Sequence, residues 1–261
     1  MNPRRSQFAL IALLLGASAP VGHAVAGDMT DRFSVTTNVG LFSQYIFRGI
    51  SYTQENPAVQ GGVDIAHDSG LYLGIWGTNV SDAALNNAAG EIDVYGGYAG
   101  QVGDFGYDVG FLQFLFPGGE INGTSESYNT LELYAGLSWG PIGLKYSHTV
   151  SDYFGFNNDT FGQGRGGSSG SNYIEANFNH EFLPGWSVSA HVGRQHVEEY
   201  SEYSFNDWKV GVVRQFGSGW EAGVAWVDTS ADSDLYTVCD DNSHCKDTGK
   251  GKWLVHVKRS F

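Results

Sequence analysis

Apolar and polar residues alternate with a period of two in many short runs along this chain. Within residues 131–139, the odd positions are apolar, whereas the even positions include Glu132 and small or polar residues. Residues 186–192 and 220–226 repeat the pattern. Because successive side chains of a strand point to opposite faces, the alternation predicts β-strands with one apolar and one polar face.

About twelve such runs follow one another, and no convincing helical pattern separates them. They cover residues 33–48, 57–67, 71–80, 91–102, 105–115, 127–139, 142–151, 172–182, 186–197, 206–216, 219–228 and 252–261. An even number of strands is typical of bacterial single-chain β-barrels. The chain is therefore predicted to be all-β, a transmembrane antiparallel β-barrel of about twelve strands.

The connections between the runs alternate in length. Five are short and rich in turn-forming residues: 67–70, 103–104, 140–141, 183–185 and 217–219. The intervening ones are longer and polar: 49–56, 81–90, 116–126, 152–171, 198–205 and 229–251. Outer-membrane barrels have short periplasmic turns and long extracellular loops. A soluble β-sandwich is the alternative, but it has no reason to sort its connections by length.

The first 26 residues have the features of a signal peptide. Arg4 and Arg5 precede an apolar stretch at 8–19, which is too short to cross a bilayer as a helix, and residues 24–26 fit the small-x-small cleavage rule. We expect a cleaved signal peptide at residues 1–26 and an outer-membrane barrel at 27–261. A buried N-terminal helix is the alternative.

The composition fits a tightly turned, aromatic β-protein. Glycine numbers 37 in 261 residues, about twice its usual share of ≈ 7%, while aromatic residues reach 14% and charged residues only 16%. Without Arg4 and Arg5, 12 basic residues face 28 acidic ones, a net charge of −16. This acidic balance leaves no basic patch for nucleic acid.

Two cysteines occur, Cys239 and Cys245, separated by a short polar segment. An exported protein meets oxidising conditions, which favours a disulfide between them. A zinc site that includes His244 is the alternative, but no second pair of ligands completes it. We therefore predict no metal and no cofactor.

The polar phase of the strands is predicted to line the lumen. Eight of these residues are acidic and four are basic, which predicts a hydrated, weakly cation-selective pore for small solutes or ions. The alternative is that acids and bases pair across the lumen and close it, leaving a structural or adhesive barrel that acts through its loops. The predicted lumen residues are Gln44, Arg48, Gln60, Asp64, Glu91, Asp93, Asp108, Glu132, Lys145, Glu175, Asn177, Asn179, Glu181, His191, Lys209, Glu221, His256 and Lys258.

Arg48 is predicted to point inward at the extracellular end of the first strand, beside Gly49, where the chain turns. It would either narrow the mouth of the barrel or pair with a neighbouring carboxylate. Pairing is the interpretation that we favour.

A lipid hydrolase is a further alternative. His148 and Ser151 are the nearest candidates, but their positions have opposite parity in a strand, so they would face opposite sides. No Gly-x-Ser-x-Gly sequence occurs, and the aspartates of the last loop lack the pattern of a calcium loop. We predict no catalytic residue.

The chain ends at Phe261, in phase with the apolar residues Trp253, Val255 and Val257. Such a terminal aromatic is the signal that bacterial barrel-assembly machinery reads. The expected partners are therefore the export machinery, the barrel-assembly machinery and the lipid of a Gram-negative outer membrane. Trp139, Trp186 and Trp220 flank short turns and would form a belt at the lipid interface.

Three features resemble a known family. They are Ser-Gln-Tyr-Ile-Phe-Arg-Gly-Ile-Ser at 43–51 with Pro-Ala-Val-Gln-Gly-Gly at 57–62, then Gly-Leu-Tyr-Leu-Gly at 70–74, and the late cysteine pair. The sequence is similar in these features to the TorF-type porin family, also called Gcw_chp. The resemblance implies an outer-membrane barrel with a porin role.

Overall fold

Twelve long antiparallel strands close into a barrel within residues 32–162, 164–240 and 242–261, which the computed structural model describes. The strands of these residues are β1 (Phe33–Phe42), β2 (Ile46–Phe47), β3 (Ile50–Ser51), β4 (Ala58–His67), β5 (Leu71–Thr78), β6 (Glu91–Val102), β7 (Phe105–Leu115), β8 (Thr130–Trp139), β9 (Ile142–Thr149), β10 (Asn172–Leu183), β11 (Trp186–His196), β12 (Phe205–Gln215), β13 (Trp220–Thr229), β14 (Thr237–Cys239), β15 (Cys245–Asp247) and β16 (Lys252–Ser260). Two pairs, β2–β3 and β14–β15, stand apart from the barrel as small hairpins. The predicted signal peptide lies outside the described residues.

The helical segments are single turns in the connections. They are α1 (Asn158–Phe161), α2 (Ser233–Tyr236) and two turns of 3-10 helix, Tyr153–Gly155 and Ser201–Tyr203. No helix among the described residues is both long enough and apolar enough to cross a membrane.

Each barrel strand pairs antiparallel with the next barrel strand in the chain, and β16 pairs with β1 to close the sheet. The closing register runs from Asn38 opposite Ser260 to Phe42 opposite His256. Closure removes both sheet edges, which would otherwise expose unpaired backbone groups. The predicted all-β, twelve-strand antiparallel barrel is confirmed.

The first predicted strand extended to residue 48, and this boundary is wrong. Strand β1 ends at Phe42, and residues 43–57 turn into the barrel before β4 begins. The turn itself lies at Arg48 and Gly49, whose φ angles are 46° and 80°. A Cβ at Gly49 would lie 2.8 Å from the Asp207 Cβ, so this turn requires glycine both for its conformation and for its space. The other eleven predicted runs agree with the observed strands to within three residues at each end.

The outer surface of the barrel is apolar. On β8, Leu133 and Leu137 are 50% and 58% exposed, whereas Glu132 and Tyr134 point inward and are buried. The same alternation exposes leucine, valine, isoleucine or aromatic side chains on all twelve barrel strands. Monomeric soluble proteins rarely expose apolar surface that is continuous over such an area, and a lipid-facing barrel requires it.

Glycines make room for aromatic rings on the inner wall. The Tyr95 ring lies over Gly74, where a Cβ would come within 2.6 Å of the tyrosine hydroxyl oxygen. The Tyr134 ring lies in the same way over Gly110 on the neighbouring strand β7. These side chains lie along the wall of a narrow lumen, which gives a structural reason for part of the high glycine content.

The six long connections meet at one end of the barrel and contact one another in a closed order, which we call the loop ring. They are residues 43–57, 79–90, 116–129, 150–171, 197–204 and 230–251. At least one hydrogen bond joins each connection to the next. Examples, in order around the ring, are Ser81 N to Tyr52 O, Ala89 N to Pro117 O, Asn157 Nδ2 to Glu126 Oε2, Tyr200 OH to Gly166 O, Tyr236 OH to Tyr203 O, and Ser51 N to Thr248 O. The long connections therefore form a joined cover.

Cys239 and Cys245 form a disulfide that joins β14 to β15 in the last connection. The predicted disulfide is confirmed. The described residues contain no group of three or more histidine, cysteine, aspartate or glutamate side chains that could hold a metal ion.

Candidate functional site: the lumen and its inner hairpin

Residues 43–57, which we call the inner hairpin, fold into the barrel from its loop end. Ile46 pairs with Ser51 and Phe47 with Ile50, and the Tyr52 amide donates to the Tyr45 carbonyl. Left-handed backbone at two successive turn residues is the conformation of tight two-residue hairpins. The resulting tip, Phe47 to Gly49, projects into the lumen.

Arg48 binds the opposite wall of the barrel. Its Nη1 and Nη2 atoms donate to the two carboxylate oxygens of Glu132 at 2.8 and 2.7 Å, and Nη1 also donates to Gln195 Oε1 at 2.9 Å. Its guanidinium carbon lies 4.7 Å from the centre of the Phe47 ring and 4.2 Å from that of Tyr173. Arg48 thus pairs with a carboxylate, as expected, but the carboxylate lies across the lumen rather than beside it.

The Arg48–Glu132 pair is almost completely removed from water, with 8% and 2% of the two side chains exposed. Burial lowers the pKa of the Arg48 guanidinium, but the Glu132 carboxylate outweighs this effect and raises the pKa above its usual value. A buried ion pair is stable only when its geometry and its additional hydrogen bonds are good. The bidentate contact and the bond to Gln195 supply both.

Aromatic side chains fill the lumen around the hairpin tip. Phe47 packs edge-on against Phe114 and Phe154, at 5.3 and 6.1 Å between ring centres, and Tyr45 packs against Trp76 at 5.5 Å. The loop-end half of the barrel therefore contains an aromatic core in addition to the Arg48 contact.

A cavity of about 110 Å³ lies against the hairpin tip and is lined by the barrel wall. Its charged lining consists of three acidic residues, three basic residues and two histidines: Glu175, Asp207, Glu221, Arg48, Lys145, Lys209, His191 and His256. Aromatic faces complete it, among them Tyr173 and Trp76. The formal charges of this lining are balanced.

On one wall of the cavity, the polar side chains of neighbouring strands contact one another. His191 Nε2 lies 2.8 Å from Asp207 Oδ2, and His191 Nδ1 lies 2.8 Å from Asn177 Oδ1 and 3.4 Å from Glu175 Oε2. Tyr173 donates its hydroxyl to Asp207 Oδ1 at 2.7 Å. This network holds the Tyr173 ring in place beside Arg48.

On the other wall, carboxylates accept hydrogen bonds from tyrosines, of which Tyr45 belongs to the inner hairpin. Tyr45 donates to Glu91 at 2.7 Å, and Tyr95 donates to Asp64 at 2.5 Å. Asp93 differs, because both of its carboxylate oxygens are buried and have no hydrogen-bond partner among the described residues.

The predicted lumen residues of the strands share the inward phase. Glu91 borders the cavity through its contact with Tyr45. Nine of the eighteen predicted residues line it: Gln44, Arg48, Gln60, Lys145, Glu175, His191, Lys209, Glu221 and His256. Asp64, Asp93, Asp108, Glu132, Asn177 and Lys258 are buried or half-buried elsewhere on the inner wall. Asn179 and Glu181 are exposed near the short turn that follows β10.

Asp207, Gln195, Tyr173 and Lys252 also belong to this site, although the sequence interpretation did not include them. Parity would have found all four, since Asp207 shares the phase of Lys209, Gln195 that of His191, Lys252 that of His256 and Tyr173 that of Glu175. Lys252 donates to the carbonyl of Gly49 at 2.9 Å and so contacts the hairpin tip directly.

The other residues that the sequence analysis singled out do not line the cavity. Trp139, Trp186 and Trp220 are exposed beside short turns, and Phe261 exchanges two backbone hydrogen bonds with Thr37. The Ser151 hydroxyl donates to the Asp152 carbonyl and accepts from the Leu131 amide. His148 instead lies 3.4 Å from Tyr146 OH, so the described contacts do not join a nucleophile to a base.

A family described as "Bacterial protein of unknown function (Gcw_chp)" matches residues 26–261. No curated protein sequence matches the chain. Among solved structures, the chain is similar to the KdgM porin (TM-score 0.54, 11% identity, 87% of this chain and 99% of that one) and to the NanC porin (TM-score 0.53, 9% identity, 87% and 99%). It is also similar to the KdgM porin in complex with disordered oligogalacturonate (TM-score 0.51, 10% identity, 87% and 98%). At these identities the similarity shows the fold.

Proposed function

The chain belongs to the Gcw_chp family of bacterial proteins of unknown function, and we propose that it is an outer-membrane channel for passive diffusion of small solutes and ions. The observation that carries the proposal is a closed barrel that is apolar outside and charged inside, with a cavity in its lumen. Similarity to proteins named porins supports the same function. Phe261 would direct its assembly into the outer membrane of a Gram-negative bacterium.

The charged inner wall supports transport over a purely structural role. Burying charge is costly, and a barrel that had only to be stable could fill its lumen with apolar side chains. Here Lys145, Glu175, His191 and Asp207 all face the cavity. Charged groups on the inner wall of a barrel are what a water-filled path requires.

The channel that we propose is narrow and weakly cation-selective. The inner hairpin occupies the loop-end half, so small solutes are the substrates that fit. Acidic residues outnumber basic ones on the predicted wall, but the lining of the cavity is balanced. A balanced constriction within an acidic lumen gives a small preference for cations.

The test is single-channel recording in planar bilayers, with the refolded wild-type barrel and with Arg48→Ala. We expect small conductance steps for the wild type and larger steps for the variant, because Arg48 fixes the hairpin across the lumen. A reversal potential in a KCl gradient gives the sign of the selectivity. Anion preference would contradict the selectivity, and an absence of steps in both proteins would contradict the channel.

A second candidate is a barrel with a closed lumen that acts through its loops. The joined loop ring and the aromatic core around Phe47 favour it. Both candidates predict a stable barrel in lipid, but only the channel predicts that the Arg48→Ala variant conducts more than the wild type.

A further inference from the structure

The wall groups that hold Arg48 form a complete recognition site for a guanidinium group. Glu132 on β8 offers two carboxylate oxygens, Gln195 on β11 offers an amide oxygen, and Tyr173 on β10 offers an aromatic face. Arginine fits such a site because its planar fork of donors matches a carboxylate and stacks on a ring. All three groups belong to the barrel wall, whereas Arg48 comes from the inner hairpin.

The orientations of two of the wall groups, Gln195 and Tyr173, are set by contacts that do not involve the hairpin. Gln195 donates its Nε2 to the carbonyls of Asn172 and His196 at 3.2 and 3.1 Å, which turns its Oε1 toward the guanidinium. The Tyr173 hydroxyl is held by Asp207 at 2.7 Å, so its ring keeps its face toward the same point. Because these anchors belong to the wall, the amide of Gln195 and the ring of Tyr173 keep their positions when Arg48 leaves.

We propose that this wall site, formed by Glu132, Gln195 and Tyr173, binds solutes that carry a guanidinium group, and that Arg48 occupies it when no such solute is present. The proposal rests on the channel function above and names a substrate class for it. A bound solute takes over the hydrogen bonds of Arg48, so the hairpin tip loses its main contact with β8. Binding is thereby coupled to widening of the lumen.

A solute can reach the site through the cavity. Arg48 and Tyr173 both line it, so the occupant of the site is in contact with the cavity. The balanced formal charges of the lining do not repel a monovalent cation. Glu175 and Asp207 add acceptor oxygens on the same side of the cavity.

Arg48 has an advantage over a free solute because it is tethered. A group on a short linker acts at an effective concentration of roughly millimolar or above. In the wild type, a free guanidinium must compete with this occupant. In Arg48→Ala, the site is vacant and Glu132 has lost its guanidinium partner, so the same solute should bind at a much lower concentration.

The test uses the guanidinium ion as the probe on refolded wild type and Arg48→Ala in planar bilayers. Methylammonium carries the same charge as guanidinium but lacks its planar set of N–H donors. Urea has a similar planar shape but no charge. Both therefore serve as control solutes. We expect guanidinium to change the Arg48→Ala current at a concentration at least tenfold below that needed for the wild type. Neither control solute should act at that concentration.

The matched control variant is Arg48→Ala/Glu132→Gln, which retains the shape of the wall side chain without its charge. We expect this variant to lose the guanidinium response. The proposal is overturned if the response of Arg48→Ala equals that to methylammonium, or if it survives Glu132→Gln.

A second readout separates this proposal from the channel itself. Guanidinium at low millimolar concentration should raise the melting temperature of Arg48→Ala in detergent more than methylammonium does, whether or not the barrel conducts. No conductance with a specific melting shift contradicts the channel alone, and conductance without the shift contradicts the site alone. If Arg48→Ala does not refold, Arg48→Lys replaces it, and the expected difference from wild type becomes smaller but keeps its sign.

Discussion

At the scale of single residues, Arg48 and Glu132 account for the contact between the inner hairpin and the far wall. Removing one partner of a buried ion pair leaves the other charge without compensation, which costs about 3–5 kcal/mol. We therefore expect Glu132→Gln to lower the free energy of unfolding by about that amount. Urea unfolding of the refolded barrel in lipid vesicles measures it, since urea avoids adding a guanidinium cation.

Two controls sharpen this prediction. Arg48→Met/Glu132→Leu removes both charges and should recover most of the lost stability, because no unpaired charge remains. Arg165 and Glu202 form an exposed pair, with 39% and 40% of the side chains accessible, so Arg165→Ala should change stability far less than Glu132→Gln does. Equal losses in Glu132→Gln and Arg165→Ala would contradict the importance of burial.

The sequence predicted the inward direction of both residues but not their contact. Parity places Glu132 on the polar face of its strand, and it could have placed Asp207 and Gln195 in the same way. The pairing of Arg48 with Glu132 joins positions 84 residues apart on opposite sides of the barrel. Strand periodicity carries no information about which residues meet across a lumen.

At the scale of elements, glycines on one strand accommodate aromatic rings from the next. A Cβ at Gly110 would overlap the carbonyl oxygen of Gly96 and lie 2.6 Å from the Tyr134 hydroxyl oxygen. We expect Gly110→Ala to destabilise the barrel by about 1–3 kcal/mol, the usual cost of overpacking. Gly217→Ala is the control, because no atom lies within 4 Å of a Cβ built there. Urea unfolding measures the free energy of unfolding of both variants. Equal losses in Gly110→Ala and Gly217→Ala would contradict the packing explanation.

The disulfide hairpin β14–β15 is an element of the loop ring, separate from the barrel sheet. Its disulfide closes a short loop, for which chain entropy gives a stabilisation of about 2 kcal/mol. We expect Cys239→Ser/Cys245→Ser to speed proteolysis within residues 230–251 while the barrel keeps its melting temperature. Protease digestion of folded protein, with the melting curve alongside, measures both, and a large fall in melting temperature would show that the hairpin supports the barrel.

The end of strand β1 shows where element prediction failed. Residues 43–48 continue without a strong turn signal until Arg48 and Gly49, so local sequence favoured one long strand. The chain turns inward because Phe47 and Arg48 find partners on distant strands, which are tertiary contacts. The other boundaries were predictable because short turns and alternating phases are local features.

At the scale of the whole molecule, the alternation of connection lengths was the most informative sequence feature. It predicted the closed barrel and the end at which the long loops meet, since antiparallel order places alternate connections at opposite ends. It could not predict that these loops join into a ring or that one of them enters the lumen. Those features depend on contacts such as Tyr236 to Tyr203, which link loops that are separate in sequence.

Replacing residues 43–57 with a short Gly-Ser turn tests the role of the inner hairpin in the whole barrel. The sheet should remain closed, because β1 and β4 pair over ten positions that exclude the hairpin. We expect conductance to rise several-fold and cation preference to increase, since the change removes Arg48 and uncovers Glu91, Asp93 and Glu132. Conductance and reversal potential in planar bilayers measure the two effects.

Shortening β14–β15 is the control, because it alters the loop ring and leaves the inner hairpin in place. If both deletions raise conductance equally, the loop ring rather than the inner hairpin limits the passage of ions.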